Sequence, residues 1–543
     1  MKCEISEQGK IIYIPGITYR LRRNMQTWEL VAIISIIFTI PVLMVSYFQL
    51  VLFFYSLRYP STLEKETPVL TDFPKVSILI ASYNEKYVID KSVDSVIATN
   101  YPKDKLQIVF ADDSTDETVA IVDAAAQRVR NAGIEAVVFR RPDRDNFKSG
   151  AMTLAMSLVT GEYVLQLDSD SRILEDTIQK GVHAFQTHPK TSFVSFRVGH
   201  YNRHFNMITS LFAVSQDQGD TISKMGSYLS SFPFSGQGGY IMYRCSDIRK
   251  VGLWQEHIEI DDAKISWKLY AAGTRGIYLS NARIMSEDPE TLEIWKKRAY
   301  QIQKGWTKIA SVYFKKTLHS KDLSARDKFV LFLTYLSPFT NLSWIITSFL
   351  SGFSLVFGWQ APGTSVFSSP FYVVIVTVPT ALFYLSAFYA LKVQNIITPR
   401  NLFMIPVLTY ASACMIILGA IAFIQGIFRK NTPYFKTPKT GDKKFAKEVD
   451  YNRELKIWKV SYIELAFSMV GLFLGAYSLY VGVWVLGLSM FGFSILTIKS
   501  LNLSRLFGSK GSGKGGYRSA KKAGKELQVY ESLDPSSSGI SED

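Results

Sequence analysis

Long and short apolar runs divide this chain. Residues 29–56, 329–357, 369–392, 459–481 and 483–500 are apolar almost throughout. Most approach or exceed the roughly 20 residues that a helix needs to cross a bilayer, so each is read as a membrane span. A further apolar run covers 401–428. Between the first two spans, apolar residues come in short runs bounded by polar and turn-forming residues, the mark of buried strands. Residues 76–81 (VSILIA), 107–111 (QIVFA), 136–139 (AVVF) and 163–167 (YVLQL) predict four such strands. One helical stretch follows Glu85 to about Val96, and another covers 149–158. Strand alternating with helix predicts an α/β domain over 70–325 with a doubly wound, mostly parallel sheet, beside an α-helical transmembrane region over 329–500. Pro41 interrupts the first span, while Pro60, Pro68 and Pro74 mark 57–74 as a linker.

Composition sharpens this division. At 543 residues, 48% hydrophobic, the chain is too long for one ordinary domain. Its net charge of +15 invites a nucleic-acid partner, but the surplus sits largely beside membrane runs, from Arg429 to Lys459 and from Arg505 to Lys525. Basic residues there mark the cytoplasmic side and contact anionic lipid, so no nucleic acid is expected. Cys3, Cys245 and Cys414 lie far apart. They form no disulfide framework or metal spacing, which suits a cytoplasmic α/β domain. The first span is too long for a cleaved signal peptide. Residues 1–28 are basic and carry no evident chemistry, and 505–543, rich in Gly, Ser and Lys before turning acidic, are expected to be disordered.

Open α/β sheets bind ligands where the C-terminal ends of strands converge. Three polar clusters fall just past predicted strands: Tyr83-Asn84-Glu85, Asp112-Asp113 and Asp168-Ser169-Asp170. The last offers two carboxylates one residue apart, which either share a hard divalent cation or form an acidic turn that caps the next helix. Lys148 adds a cation near the same edge, after Arg140, Arg141 and Arg144; as a bland alternative it is a surface lysine at a helix start. Carboxylates, a metal and basic side chains together suit a nucleoside diphosphate, with Asp112 or Asp113 as hydrogen-bond partner for base or ribose. No Gly-x-Gly-x-x-Gly or Walker-type loop occurs, which argues against a dinucleotide or ATP hydrolysis.

Ala81-Ser82-Tyr83-Asn84-Glu85, Asp112-Asp113-Ser114, Phe147-Lys148-Ser149-Gly150-Ala151 and Asp168-Ser169-Asp170, in this order and spacing, resemble the family-2 glycosyltransferases. The likeness is strongest to their membrane-embedded branch of cellulose, glucomannan and hyaluronan synthases, and it covers roughly residues 70–310. It implies a GT-A fold that binds a nucleotide sugar, uses Mg2+ or Mn2+, and inverts the anomeric carbon in one displacement. By position it implies Tyr83 and Glu85 in the loop that contacts the base, and Asp112 or Asp113 on uracil or ribose. It places Lys148 near the diphosphate, and Asp168 and Asp170 on metal and sugar-phosphate. The segment Phe234-Ser235-Gly236-Gln237-Gly238-Gly239-Tyr240 resembles the family's glycine-rich stretch near donor and acceptor; the alternative is a flexible turn. Ile260-Asp261-Asp262 is similar to the family's Thr-Glu-Asp segment, with Asp262 matching the catalytic aspartate and Asp261 standing where glutamate is usual. An acceptor hydroxyl must lose its proton as it attacks, and a carboxylate within reach can take it. Adjacent carboxylates raise one pKa by repulsion, and Asp261-Asp262 can also cap the helix that starts there.

The branch also carries a Gln-x-x-Arg-Trp segment for diphosphate and acceptor sugar. Here the lead-in Glu287-Asp288-Pro289-Glu290-Thr291 is similar, but the segment itself departs. An ungapped reading puts Arg298, Gln301 and Ile302 at its Gln, Arg and Trp; a shifted one offers Gln301, Lys304 and Trp306. The alternative is an amphipathic helix lying on the membrane, with Trp295 and Trp306 at the interface. Within 429–458, Phe435-Lys436-Thr437-Pro438-Lys439 resembles the synthases' gating loop, with Lys436 and Lys439 in reach of phosphate. An even number of crossings must separate this loop from the α/β domain if they share a site, so 401–428 is expected to be interfacial or re-entrant. The N-terminus then falls outside, against its arginines.

The resemblance therefore implies a multi-pass cell-membrane enzyme with a cytoplasmic catalytic domain. It would move a sugar from a UDP-linked donor to a growing glycan. The alternative is a single transfer to a lipid such as a polyprenyl phosphate or glycolipid. A protein that merely binds nucleotide sugar or conducts glycan is disfavoured by the intact Asp168, Asp170 and Asp262. No motif sets an oligomeric state.

Overall fold

The computed structural model describes residues 11–14, 17–20, 27–58, 69–70, 72–254, 260–359, 370–429 and 458–510. A hairpin, β1 (Ile11–Ile14) and β2 (Ile17–Arg20), precedes the apolar helix α1 (Thr27–Ser56), which continues through Pro41. The α/β domain then opens with β3 (Val76–Ser82), α2 (Ile89–Ile97), β4 (Leu106–Asp112), α3 (Thr118–Asn131), β5 (Glu135–Phe139), α4 (Phe147–Ala155) and β6 (Tyr163–Asp168). It continues with β7 (Arg172–Ile173), α5 (Thr177–Thr187), β8 (Thr191–His200), α6 (Met207–Gln218), α7 (Met225–Leu229) and β9 (Ile241–Arg244). The short α8 (Cys245–Lys250), α9 (Asp261–Ala271) and β10 (Arg275–Ser286) complete it. Helices α10 (Leu292–His319), α11 (Ala325–Leu336), α12 (Phe339–Val356), α13 (Pro370–Val393), α14 (Pro399–Ile427), α15 (Trp458–Tyr480) and α16 (Trp484–Lys510) follow.

One sheet runs β5-β4-β3-β6-β9-β8-β10-β7. Its first four strands are parallel and match the predicted runs to within a residue at each end. The sheet is mixed further on, because β9 inserts antiparallel between β6 and β8 and β7 pairs antiparallel with β10. Both faces are covered, which explains the near-continuous apolar runs. Ile78, Ile80, Ile108 and Leu165 point into one core with α2, α3 and α5. Leu79, Val109 and Val164 point into the other with α4, α9 and α10. This is a GT-A-like α/β fold.

The membrane-region readings need two corrections. Residues 329–357 are not one span: the chain breaks at Ser337-Pro338 into α11 and α12, since proline lacks the N–H that a continuing helix needs and clashes with the preceding turn. And α16 runs to Lys510, past the expected tail boundary at 505. By length and composition, Glu29–Ser56, Phe339–Val356, Pro399–Ile427 and Tyr462–Tyr480 can each cross a membrane; the apolar stretches Val378–Val393 and Leu486–Ile498 are shorter. These helices expose large apolar side chains, such as Ile36 and Ile37 on α1 and Phe473 on α15, as lipid contact requires. Lys436, Lys439 and the tail beyond 510 lie outside the described residues, as does most of the 1–28 segment.

Candidate active site

The register of the parallel strands brings the three polar clusters to one edge. Ser82 pairs with Asp112, and Ala81 pairs with Asp168, so β3, β4 and β6 end level with one another. Beyond them lies a cleft of about 430 Å³, within the usual range for a ligand site. Tyr83, Glu85, Asp113, Lys148, Asp168, Asp170, Gln237, Asp261, Asp262, Arg298, Gln301 and Trp306 all line it.

Asp112 does not. As the last ladder residue of β4 it is buried, accepting hydrogen bonds from Ser82 Oγ (2.9 Å), Ser114 N (3.2 Å) and Arg140 Nε (2.9 Å). It braces the strand ends, so of the two aspartates Asp113 is the one that faces the cleft. Arg141 holds the Asp113 carboxylate with two parallel bonds, Nε to Oδ1 at 2.8 Å and Nη2 to Oδ2 at 2.7 Å. Next to it the Arg144 guanidinium sits 3.2 Å from the centre of the Tyr83 ring. Both arginines belong to the basic run noted in the sequence; Arg144 lines the cleft, while the Arg141 side chain is buried behind Asp113.

Lys148, on the first turn of α4, forms an ion pair with Asp168. The preceding Asn146 and Phe147 both take left-handed backbone (φ 57° and 49°), a strained approach of the kind found at functional sites. Asp170 is buried and oriented by Ser286 Oγ (3.1 Å) and Glu287 N (3.3 Å). Between the two aspartates, the Ser169 hydroxyl donates to the Glu85 carboxylate. Glu85 thereby ties the loop after β3 to the loop after β6.

Asp262 stands at the start of α9. Its Oδ2 accepts the Gly238 N–H at 2.7 Å, and its own N–H donates to Asp261 Oδ1 at 3.0 Å. Protein surrounds it although its carboxylate opens onto the cleft. Burial, and then the charge of Asp261, push its pKa up to about 6. The adjacent Gly239 (φ +81°) abuts the other carboxylate: a Cβ there would lie 2.6 Å from Asp168 Oδ2. One two-residue turn therefore touches both Asp262 and Asp168 and sets them facing each other. That turn is the glycine-rich stretch, and its Gln237 Oε1 accepts from Lys224 Nζ at 2.6 Å.

Helix geometry sorts the candidates on α10 by face. Arg298, Gln301, Ile302 and Trp306 fall on one face, at i, i+3, i+4 and i+8, and line the cleft. Lys304 falls on the other side of the helix and is fully buried, its backbone against Gly426 of α14, so it does not reach the cleft. Gln216 and Lys224 line the cleft as well and went unnoticed in the sequence. Gln216 lies just before, and Lys224 ends, a π-helical segment, Gly219–Lys224, between α6 and α7; π-turns often mark functional sites, but no spacing pattern announces one.

Asp168 and Asp170 fit a hard divalent cation. They supply oxygen donors one residue apart at the cleft wall. Among the described residues no group of three or more acidic, His or Cys side chains is placed to hold a metal ion by itself. A cation held by one or two carboxylates and completed by substrate phosphate, as Mg2+ commonly is, matches this set.

Residues 77–252 match the model of Glycosyl transferase family 2. The chain carries a family-2 glycosyltransferase domain. A probable glucomannan 4-beta-mannosyltransferase 6 of Oryza sativa subsp. japonica is 27% identical over 292 residues, covering 51% of this chain and 50% of the relative. Glucomannan 4-beta-mannosyltransferase 2 of Arabidopsis thaliana is 28% identical over 232 residues, 42% of this chain and 43% of the relative. The chain thus spans about half the length of the curated relatives it matches. Among solved structures, the mannosyltransferase PcManGT from Pyrobaculum calidifontis, in complex with GDP-Man and Mn2+, superposes with a TM-score of 0.48 at 19% identity, covering 74% of this chain and 100% of that one. The family-2 segment takes in every strand-end cluster, Lys148 and the glycine-rich turn; Asp262 and α10 lie just beyond it.

Proposed function

We propose that this cleft transfers a hexosyl group from a nucleotide sugar to a hydroxyl of a growing glycan, with inversion at the anomeric carbon. The observation that carries the reading is the turn at Gly238-Gly239, which sets Asp262 opposite the Lys148–Asp168–Asp170 cluster. The nucleoside would lie against Tyr83, Asp113 and Arg144, and the diphosphate beside Lys148. Asp168 and Asp170 would hold a Mg2+ or Mn2+ ion, which supplies charge neutralisation for the departing diphosphate. The acceptor oxygen forms its bond to the anomeric carbon as the carbon–oxygen bond to the diphosphate breaks, and its proton passes to the Asp262 carboxylate. Arg298, Gln301 and Trp306 give the acceptor end a cation, an amide and an aromatic face on which a sugar ring can stack. This favours a glycan over a lipid acceptor, even though the sequence departs from the synthases' motif there. The names of the plant relatives make a mannosyl donor the first to try.

The apolar helices support a membrane protein, and a cytosolic nucleotide-sugar donor supports a cleft on the cytoplasmic side of the cell membrane. Purified full-length protein, incubated with UDP- and GDP-linked hexoses and Mn2+ or Mg2+, tests the proposal. Metal-dependent release of nucleoside diphosphate with a product larger than one added sugar is expected. One sugar on an organic-soluble lipid would replace the glycan reading with the lipid one, and no release from any donor would overturn both. Asp170→Ala should abolish metal-dependent donor affinity by calorimetry; unchanged affinity would refute the metal assignment.

A further inference from the structure

The back of α10 carries a second polar row. Lys296, Tyr300, Gln303 and Thr307 recur about once per turn, opposite the cleft-lining residues. Each meets a different part of the membrane region. Lys296 Nζ binds both carboxylate oxygens of Glu464 on α15, at 2.6 and 2.8 Å. The Tyr300 hydroxyl donates to Gln425 of α14. Gln303 Nε2 donates to the Pro338 carbonyl, at the break between α11 and α12, at 2.8 Å. Thr307 packs on Gly426, where a Cβ would come within 2.6 Å of it.

The first of these stands apart. Lys296 and Glu464 are 6% and 0% exposed at their side chains, and Glu464 lies in the apolar stretch Tyr462–Tyr480 that is long enough to cross a membrane. Burying two charges beside lipid is costly, and an apolar pair of the same size would hold two helices together equally well. What an ion pair adds is direction: two short charge-assisted bonds fix one side chain against the other and admit no sliding. Lys296 is two residues before Arg298 and five before Gln301, so its anchoring sets the rotation and axial position of the cleft-lining face.

We propose that Lys296–Glu464 is a positioning pair that ties the seating of α15 to the acceptor end of the cleft. It acts through Arg298, Gln301 and Trp306 and leaves the donor end, on β3, β4 and β6, untouched. This rests on the reading that the α10 face receives the acceptor.

The test uses the full chain and the nucleotide sugar that it hydrolyses, with three readouts: donor affinity by calorimetry, release of nucleoside diphosphate to water without acceptor, and transfer to short β-linked hexose oligosaccharides. Glu464→Gln should raise the acceptor KM about ten-fold or more, with donor affinity and hydrolysis unchanged. Because a single change can unfold the helix pair, Lys296→Met/Glu464→Leu is tested beside it. That variant should keep or raise the Tm and still lose acceptor transfer. The exchanged pair Lys296→Glu/Glu464→Lys should recover part of it. Transfer at the unaltered acceptor KM in the Met/Leu variant would show that the pair merely packs, and would overturn the inference. A chain that binds and hydrolyses no nucleotide sugar would instead overturn the reading of the cleft.

Discussion

Asp262 has to be ionised to accept a proton, and its surroundings work against ionisation. Burial, then the neighbouring charge of Asp261, raise its pKa from 3.8 to about 6. The base is therefore available above about pH 6, and transfer should fall as pH drops through that value. Asp261→Asn removes the second cause and should shift this limb to lower pH, a move that a pH profile of kcat/KM would register. Asp262→Asn should abolish transfer at every pH while donor binding survives; full activity would remove Asp262 from the role. Stability runs the other way. The folded state holds this proton more tightly than the unfolded chain, so the contribution is full below the unfolded pKa of about 4 and is lost as pH rises through about 6. Asp262→Asn should accordingly melt higher than the unaltered protein at pH 8, since the neutral amide can still accept the Gly238 N–H.

A buried network holds the elements that frame the acceptor side. His200, at the end of β8, hydrogen-bonds Asp288 Oδ1 at 2.7 Å and faces Asp217 of α6 at 3.6 Å, while Arg203 pairs with the same Asp217. Burial alone would lower the His200 pKa, but Asp288 and Asp217 outweigh it and raise it to about 9. Its stabilisation is therefore full below the unfolded pKa of about 6.5 and disappears as pH rises through about 9. His200→Ala leaves two buried carboxylates short of a partner and should cost about 3–5 kcal/mol. Calorimetry should also show the Tm decline between pH 7 and 9.5 flatten in this variant; an unchanged slope would assign the titration elsewhere. This network joins segments that carry no common pattern in the sequence. What the sequence did disclose is local. Strands β3 to β6 announce themselves as apolar runs ending in polar clusters, and Asp168, Asp170 and Lys148 follow from those ends. The four-residue β9 is too short to announce itself, and its place between β6 and β8 is a long-range pairing. Nor does adjacency say which of Asp112 and Asp113 faces the cleft, or motif spacing which face of α10 does. Strand alternation decides the first against Asp112, and the turn of 3.6 residues decides the second against Lys304.

At the scale of the whole molecule, the path of α14 determines which side of the membrane receives the segment after it. Its 29 residues are apolar and long enough to cross. Its ends, however, both meet the catalytic side. Arg400 donates to the His204 and Asn206 carbonyls, just before α6. Arg429 donates to the carbonyl (3.1 Å) and hydroxyl (3.3 Å) of Ser311 on α10. Between these points Met404, Leu408 and Ala411 pack with Leu211, Leu292 and Trp295, and Gln425 meets Tyr300. The helix thus runs alongside α10 for most of its length. Helix α10 carries Lys296, Lys297, Arg298, Lys304, Lys308, Lys315 and Lys316, which no crossing helix could hold at that density. A helix that runs alongside it is therefore expected to lie along the membrane surface. In a background without Cys3, Cys245 and Cys414, Thr398→Cys and Arg429→Cys should both react with a membrane-impermeant maleimide only when the cytoplasmic face is opened. Labelling of either one from outside in intact cells would mean that α14 crosses.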